Sequence, residues 1–350
     1  MFKLDVFLAI LIGVVSNLVV ALIVGVFNLL RKRTNQEPDQ AIAAKRLFSA
    51  LQKYEKNAGP SFSTALLSVK IPLEYVNMSN PLDKASSIVD IFQKDEDTLE
   101  DMLLLGKVSS GKSTSLKELT LKLIENELKK GKNVENANFP IFLPLDEWSR
   151  KKKPLKVWLK EYLTNQEHSY LGLDKRHIDY WASKRKFILL MDGLDEMSEE
   201  DSHECLNAIH KWRQETHFSP IIISCQLDRY EALEGNEPSL KEIVKKVVIQ
   251  KLKPSQVQDY LEQRKATDLS HLLYQDEKGQ HLKEIADTPL LLDLLVQTIT
   301  GKDLKQQISE IETEDALWKK YVNREIDENK LYNGRDARYW LIRLCKTHGQ

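Results

Sequence analysis

The sequence predicts an α/β fold built on a doubly wound parallel sheet, followed by a small all-α helical domain and preceded by one transmembrane helix. Three observations predict it. An apolar strand, a glycine-rich loop and a helix succeed one another over residues 102–130. Short apolar runs then alternate with helical stretches as far as Leu252, as in a parallel sheet covered on both faces. A long uncharged segment lies within the first 33 residues.

The glycine-rich loop reads Gly-Lys-Val-Ser-Ser-Gly-Lys-Ser, the pattern of a phosphate-binding loop. Glycines let the loop fold back so that backbone N–H groups face a phosphate, and the following helix N-terminus adds partial positive charge. Lys112 would reach the β- and γ-phosphates, and the Ser113 hydroxyl would bind Mg²⁺. A chance match is the alternative. The predicted nucleotide-binding positions are Gly106, Lys107, Val108, Ser109, Ser110, Gly111, Lys112, Ser113 and Thr114.

Composition excludes several other kinds of protein. The 350 residues include 51 basic and 52 acidic side chains, so net charge gives no reason to expect direct nucleic-acid binding. Three widely spaced cysteines predict neither a disulfide framework nor a zinc site. The eight histidines form no metal-ligand pair in sequence.

The uncharged segment runs from Val6 to Leu30, 25 residues, and is followed by Arg31-Lys32-Arg33. A helix of that length measures about 37 Å and can cross a hydrocarbon core of roughly 30 Å. The basic cluster predicts a single-pass protein with residues 34–350 in the cytoplasm. A cleaved signal peptide or a buried soluble helix is the alternative.

Residues 34–95 predict an adaptor between membrane and nucleotide domain. The spacing of apolar residues from Ile42 to Tyr54 is helical, and Ile71–Val76 is typical of an edge strand with proline near its start. Residues 77–81 predict a turn-rich link.

Beyond the loop, four further strands are predicted, and the strongest second motif follows one of them. The strands are Ile141–Leu143, Phe187–Met191, Ile221–Cys225 and Val247–Ile249; helices are predicted around 155–163, 178–183 and 205–212. Asp192 directly follows an apolar strand, so its carboxylate should hold the water shell of Mg²⁺ at the sheet rim. Asp195 and Glu196 lie just beyond and are candidates to orient or deprotonate an attacking water.

The strand ending in Asp192-Gly193-Leu194-Asp195-Glu196 resembles the second motif of the NACHT group of P-loop NTPases, within the signal-transduction NTPases with numerous domains. Three further segments resemble family motifs in the family's order, and the first is closest to bacterial members. They are Pro140–Trp148, Ile221–Glu231 (the sensor strand) and Thr288–Leu292 (the proline motif). The resemblance covers roughly residues 96–345.

This resemblance implies a signalling switch that holds ADP, exchanges it for ATP on a signal from a partner protein, and forms a homo-oligomer in the ATP state. Bacterial members are often linked to defence against phage. The implied catalytic residues are Lys112, Asp195 and Glu196, in a weak Mg²⁺-dependent ATPase. Ser113 and Asp192 would hold Mg²⁺, and Pro289 would pack beside the adenine.

The chain departs from the family pattern in two places. Gln226 follows Ser224-Cys225 where the family usually has arginine, so γ-phosphate sensing or turnover should be weak unless Arg229 substitutes. The resemblance also divides the chain into an NTPase domain over 96–252, a helical domain over 253–301 and a partial winged-helix segment over 302–350. Helices are expected over 255–264, 289–300, 308–329 and 336–347. The second departure is that no repeat array is visible in the sequence, although such arrays are the usual ligand sensors of the family.

Two functions follow as alternatives. The first is a membrane-anchored ATP/ADP switch. The second is a constitutive membrane-bound ATPase or a nucleotide-binding scaffold that does not switch.

Overall fold

The fold is described from a computed structural model over residues 42–53, 73–92, 100–129, 137–165, 174–215, 219–235, 238–275, 281–299 and 304–328, except positions 44 and 79. The predicted membrane segment Val6–Leu30 and the helix predicted over 336–347 lie outside these residues. Within them, no helix combines the length and the apolar character that crossing a membrane requires.

The described chain contains a seven-stranded sheet with the strand order β2-β1-β7-β3-β6-β5-β4. The strands are β1 Tyr75–Asn77, β2 Asn80–Ala85, β3 Met102–Gly106, β4 Phe139–Pro144, β5 Phe187–Asp192, β6 Ile221–Gln226 and β7 Lys245–Ile249. All four strands predicted beyond the loop are present, as β4 to β7, and the strand predicted before it is β3.

The sheet is mixed rather than entirely parallel, which corrects the sequence prediction. Five strands, β7, β3, β6, β5 and β4, run parallel, whereas β1 is antiparallel to both β7 and β2. Only two residues separate β1 from β2, and so short a connection allows only an antiparallel pair, since a parallel pair needs a crossover of a dozen residues or more.

The predicted edge strand also lies one place further in than expected. The described part of that segment forms β1, which sits between β7 and β2. The actual edge is β2, whose first residues were predicted to be a turn. Pro81 lies within β2, where the missing N–H is tolerated because an edge strand leaves one side unpaired.

The apolar strands are explained by burial on both faces. Leu103, Leu105 and Ile223 belong to one core cluster, whereas Met102, Leu104 and Ile222 belong to another. Successive residues of a strand point to opposite faces, so a strand with cores on both sides needs apolar residues at every position.

Helices cover these faces and then form a separate apolar cluster. Before β1, residues 45–53 are helical and place Leu47, Ala50 and Leu51 in the larger core. The helices that follow are α1 Ile88–Phe92, α2 Lys112–Lys129, α3 Leu145–Ser149, α4 Leu155–Thr164, α5 Lys175–Ser183, α6 Glu199–Glu215, α7 Leu227–Glu234, α8 Pro238–Lys241, α9 Pro254–Gln263, α10 Thr267–Gln275, α11 Lys283–Ala286, α12 Pro289–Thr298, α13 Leu304–Ser309 and α14 Glu314–Glu328. Helices α9 to α14 enclose a third apolar cluster, which extends from Leu252 to Leu317.

The helix predicted over 308–329 is two helices, α13 and α14. The break occurs where Thr313 caps α14: its hydroxyl accepts a hydrogen bond from the Ala316 N–H at 3.2 Å. Threonine favours such a cap because its side-chain oxygen satisfies an amide that has no partner within the helix.

Candidate functional site

The predicted site residues converge because their strands end at one edge of the sheet. Gly106 at the end of β3 lies opposite Gln226 at the end of β6, and Pro144 of β4 lies opposite Asp192 of β5. Because β6 lies between β3 and β5, and Asp192 is level with Ser224 whereas Gly106 is level with Gln226, Gly106 and Asp192 are about 12 Å apart. Ligands of open α/β sheets bind at this carboxyl edge.

The loop between β3 and α2 has the backbone that close approach to an anion requires. Gly111 has φ +97° and Ser109 has φ 61°, both in the left-handed region. A Cβ at Gly106 would lie 2.5 Å from Ser110 Oγ, so any other residue there would force the Ser110 hydroxyl to move.

Two features of the loop fit a phosphate. The buried Ser110 hydroxyl has no hydrogen-bond partner among the described residues. The first amides of an α-helix also lack acceptors within the helix, and in α2 these belong to Lys112, Ser113 and Thr114. Donors without acceptors beside a helix N-terminus suit an anion such as a nucleotide phosphate.

Lys112 lies folded over its own loop. Its Nζ donates to the backbone oxygens of Lys107 at 3.1 Å and Gly106 at 3.4 Å. Val108 at the loop tip is 59% exposed, so the tip faces solvent. The ammonium group is therefore held at the loop by neutral carbonyl oxygens, and a negatively charged phosphate would be a stronger acceptor that could replace them.

A buried serine, Ser224, orients the candidate metal-binding carboxylate. Its Oγ donates to Asp192 Oδ1 at 2.6 Å and accepts from the Gly193 N–H at 2.9 Å. The sequence places Ser224 in the sensor strand but assigns it no role. The sequence feature that could have predicted a role for Ser224 is that it is a single hydroxyl residue within an apolar strand, because a buried polar group needs hydrogen-bond partners.

The structure separates the roles of the two acidic residues after β5. Asp195 Oδ1 accepts a hydrogen bond from the backbone N–H of Gln226 at 3.0 Å, which ties the acidic turn to the end of β6. The carboxyl of Glu196 faces negative neighbours instead. Desolvation raises the pKa of Glu196, and Asp192, Asp195 and Asp146 raise it further, while Lys112 opposes them. A carboxylate with a raised pKa is the better proton acceptor, which favours Glu196 as the base.

Gly193 gives Glu196 its position. Its φ is +85°, and a Cβ there would lie 2.9 Å from Glu196 Cδ. The glycine therefore permits both the left-handed turn and the close approach of the Glu196 side chain.

Gln226 and Arg229 lie at the start of α7. Gln226 ends β6 at the level of Gly106 in the neighbouring strand. Arg229 Nη1 lies 3.7 Å from Glu199 Oε2 at the start of α6, so this guanidinium already faces a carboxylate. Burial raises the pKa of the Cys225 thiol to about 12, so the thiol stays protonated and is no nucleophile.

Pro289 lies in the helical cluster as the first residue of α12 and is buried. The turn before it is attached to the chain leaving β7, because the Leu252 N–H donates to the Asp287 oxygen at 2.8 Å and Lys251 pairs with Asp287. Since β7 adjoins β3, the start of α12 lies at the same edge as the phosphate loop.

Among the described residues, no group of three or more His, Cys, Asp or Glu is arranged to hold a metal ion. Mg²⁺ at this edge would rest on Ser113 and, through water, Asp192. Sparse protein ligation of this kind suits Mg²⁺, which keeps several waters and binds phosphate oxygens.

Comparison with known proteins gives one family match. Residues 100–268 match the model of the NACHT domain. No curated protein matches the sequence. The solved structures that resemble it include the ORC1 protein of Aeropyrum pernix in complex with DNA, at 17% identity over 68% of this chain and 63% of that chain, with a TM-score of 0.41. The ORC2 protein of Aeropyrum pernix in ADPNP–ADP complexes is 11% identical over 75% of this chain and 84% of that chain, with a TM-score of 0.42. The chain thus spans less than two thirds of the ORC1 chain.

Proposed function

Because the chain contains a P-loop NTPase domain, we propose that it is a NACHT-type ATPase that binds ATP or ADP with Mg²⁺ and hydrolyses ATP slowly. One observation supports this above the others. The register of β3, β6 and β5 brings the phosphate loop, Asp192 and Glu196 to one sheet edge, where the loop could bind phosphates while the carboxylates face the metal and the attacking water.

Each residue has a role that follows from its place. The loop amides and Lys112 bind the phosphates, and the Ser113 hydroxyl and Asp192 hold the metal and its water. Bound Mg²⁺ neutralises charge on the β- and γ-phosphates. Ser224 keeps Asp192 oriented, Asp195 fixes the end of β6, and Glu196 takes a proton from the attacking water.

The ATPase would act as a membrane-anchored signalling switch that forms a homo-oligomer in the ATP state, with residues 34–350 in the cytoplasm. The uncharged segment Val6–Leu30 supports the anchor. The segment Pro140–Trp148, which resembles bacterial NACHT proteins in particular, supports a role in bacterial defence, in which a separate protein would deliver the signal. Pro289 supports adenine recognition through its place at the sheet edge.

The first experiment uses the full chain purified in detergent. We expect retained ADP and slow ATP turnover in the wild type, no bound nucleotide in Lys112→Ala, and nucleotide binding with only residual hydrolysis in Glu196→Gln. Mass measurement should show larger assemblies with ATP, above all in Glu196→Gln. A constant monomer with fast turnover would make the protein an ordinary ATPase, and absence of nucleotide from every preparation would leave only a scaffold.

The alternative, a constitutive ATPase or a non-switching scaffold, is favoured by one position. Gln226 supplies a neutral amide where the family has arginine, and Arg229 already faces Glu199. If Gln226 weakens γ-phosphate sensing, Gln226→Arg should raise hydrolysis or the preference for ATP over ADP. An unchanged rate and an unchanged preference would show that this position does not decide between the two functions.

A further inference from the structure

Basic residues are concentrated in three described segments of an otherwise balanced chain. Residues 45–53, 150–164 and 174–179 contain eleven Lys and Arg but only three Asp and Glu, namely Glu161, Asp174 and Asp179. The whole chain has 51 basic and 52 acidic residues, so the remainder carries an acidic excess. The charge is therefore distributed unevenly over the molecule.

Ion pairs join the three segments into one surface, the basic face. Arg46 Nη1 lies 2.9 Å from Asp174 Oδ2, which places helix 45–53 beside the start of α5. Lys160 Nζ lies 2.5 Å from Asp179 Oδ1, which links α4 to α5. Lys153 Nζ lies 2.7 Å from Glu161 Oε1, so the loop before α4 belongs to the same face.

The acidic residues do not neutralise this face. Asp174 is shared by Arg46 and Arg176, and Asp179 is shared by Lys156 and Lys160. Asp201 and Glu204 of α6 pair with Lys152, and Asp146 pairs with Arg150. Lys45, Lys151 and Lys175 are exposed and add further positive charge.

Two exposed apolar side chains lie among these charges. Val157 is 43% exposed and follows Lys156 on α4, and Ile42 is 52% exposed one turn before Arg46. Residues four apart lie on one face of a helix, so Ile42 and Arg46 point the same way. Basic residues combined with exposed apolar ones are typical of surfaces that lie on a bilayer.

The position of this face along the chain indicates which partner it meets. Residues 31–41 separate the predicted membrane segment from Ile42, and even fully extended they span at most about 40 Å. The face is therefore kept close to any bilayer that holds the anchor, at a high effective concentration. The cytoplasmic leaflet carries anionic headgroups that attract clustered Lys and Arg.

We propose that the basic face binds anionic lipid headgroups and so fixes the orientation of the NTPase domain on the membrane. The proposal rests on the membrane anchor of the proposed function. The acidic excess elsewhere would turn the rest of the domain away from the same leaflet. Nucleic acid, the other polyanion that such a face could meet, is an outcome of the test below.

Lysine footprinting of the full chain tests this directly. The protein is reconstituted into phosphatidylcholine vesicles with or without about one third phosphatidylglycerol, and acylation of individual lysines is followed by mass spectrometry. Bound headgroups should slow acylation of Lys45, Lys151 and Lys175 at least about threefold in the anionic vesicles only. The exposed residues Lys211, Lys265 and Lys319 serve as controls and should react equally in both.

A carbonate wash of the same vesicles separates failure of this proposal from failure of the anchor. If the protein resists the wash but anionic vesicles do not protect its lysines from acylation, lipid binding by the basic face is refuted and the membrane anchor is supported. If the wash removes the protein but anionic vesicles protect its lysines from acylation, the membrane anchor is refuted and lipid binding by the basic face is supported. Protection by duplex DNA or RNA, without protection by phosphatidylglycerol, overturns lipid binding in favour of nucleic acid.

A matched pair of triple variants provides the second readout. Lys45→Gln, Lys151→Gln and Lys175→Gln together should return acylation of Lys156 to its rate in phosphatidylcholine. Lys211→Gln, Lys265→Gln and Lys319→Gln together should leave its protection intact. Both variants should hydrolyse ATP in detergent like the wild type, which confirms that they fold. If both triple variants lose the protection of Lys156 equally, the protection depends only on the net charge of the protein, and the proposal is refuted.

Discussion

At the scale of single residues, Gly193 controls the position of the candidate base. Its left-handed backbone turns the chain after β5, and its missing side chain leaves room for the carboxyl of Glu196. An alanine would be strained at φ +85° and would push Glu196 aside. In the proposed hydrolysis, the glycine would therefore act through its neighbour Glu196.

We expect Gly193→Ala to lower the rate of ATP hydrolysis roughly 10- to 100-fold while ADP binding persists, because a misplaced base loses alignment with the water. The measurement is kcat together with the dissociation constant for ADP. Gly235→Ala is the matched control, since Gly235 has right-handed φ and nothing within 4 Å of the added carbon. A wild-type rate in Gly193→Ala would show that this contact does not position Glu196.

The raised pKa of Glu196 predicts the pH dependence of hydrolysis. Its carboxyl must be deprotonated to accept a proton, so kcat/KM should fall as pH is lowered through its pKa. Desolvation and neighbouring carboxylates place that pKa above the ordinary value of 4.5. Because kcat/KM reports groups of the free enzyme, its acidic limb should lie above pH 4.5 and should be absent from the residual activity of Glu196→Gln. A limb below pH 4.5 would contradict this assignment.

At the scale of elements, one buried carboxylate joins two helices of the α9–α14 cluster. Asp293 of α12 is fully buried, accepts from Tyr260 and Gln297, and lies 3.3 Å from Arg264 Nη2. Tyr260 and Arg264 belong to the end of α9, so the network fixes α9 against α12. A buried charge is stable only when its partners surround it.

Asp293→Ala should lower the free energy of unfolding by about 3 kcal/mol, because it removes the acceptor of the buried Tyr260 hydroxyl and the carboxylate that faces Arg264. Thermal unfolding should shift down by roughly 6–12 °C. Asp259→Ala is the control: Asp259 lies on α9 but is exposed, so its loss should cost less than about 0.5 kcal/mol. Equal midpoints in the two variants would refute the role of Asp293.

At the scale of the whole molecule, Leu73 connects the sheet, the phosphate loop and the helical cluster. It packs against the apolar cluster of one sheet face and against the cluster of α9 to α14. Its Cδ1 would lie 3.2 Å from a Cβ at Gly111. The next residue reinforces the connection, since Glu74 pairs with Lys253 at the start of α9.

Leu73→Ala should therefore weaken the coupling between nucleotide and helical cluster. We expect a loss of about 1 kcal/mol in unfolding free energy and about half the rise in melting temperature that saturating ADP produces in the wild type. Leu290→Ala is the control. Leu290 is also partly buried and packs against the helical cluster, but it is not among the described residues that pack against the sheet-face cluster that Leu73 contacts. If both variants reduce the ADP effect equally, Leu73 is an ordinary packing residue.

The sequence by itself determined the five parallel strands, the phosphate loop and the residues at the sheet edge. Met102–Gly106 and Phe187–Asp192 are readable because strands buried on both faces must be apolar at every position, and polar residues then mark their ends. The pattern of the phosphate loop is equally local, since its glycines and Lys112 are required within a few residues. Features of this kind can be predicted from the sequence because they depend only on residues that are close together along the chain.

The tertiary structure alone decided how these pieces are arranged. The order β3-β6-β5, the antiparallel strands β1 and β2, and the hydrogen bond from Ser224 to Asp192 all depend on contacts between distant segments. The division of roles between Asp195 and Glu196 depends on the Gln226 amide 31 residues away. The physical reason is that strand pairing and burial of charge are set by whichever segments meet in space, and periodicity along the chain does not encode which ones do.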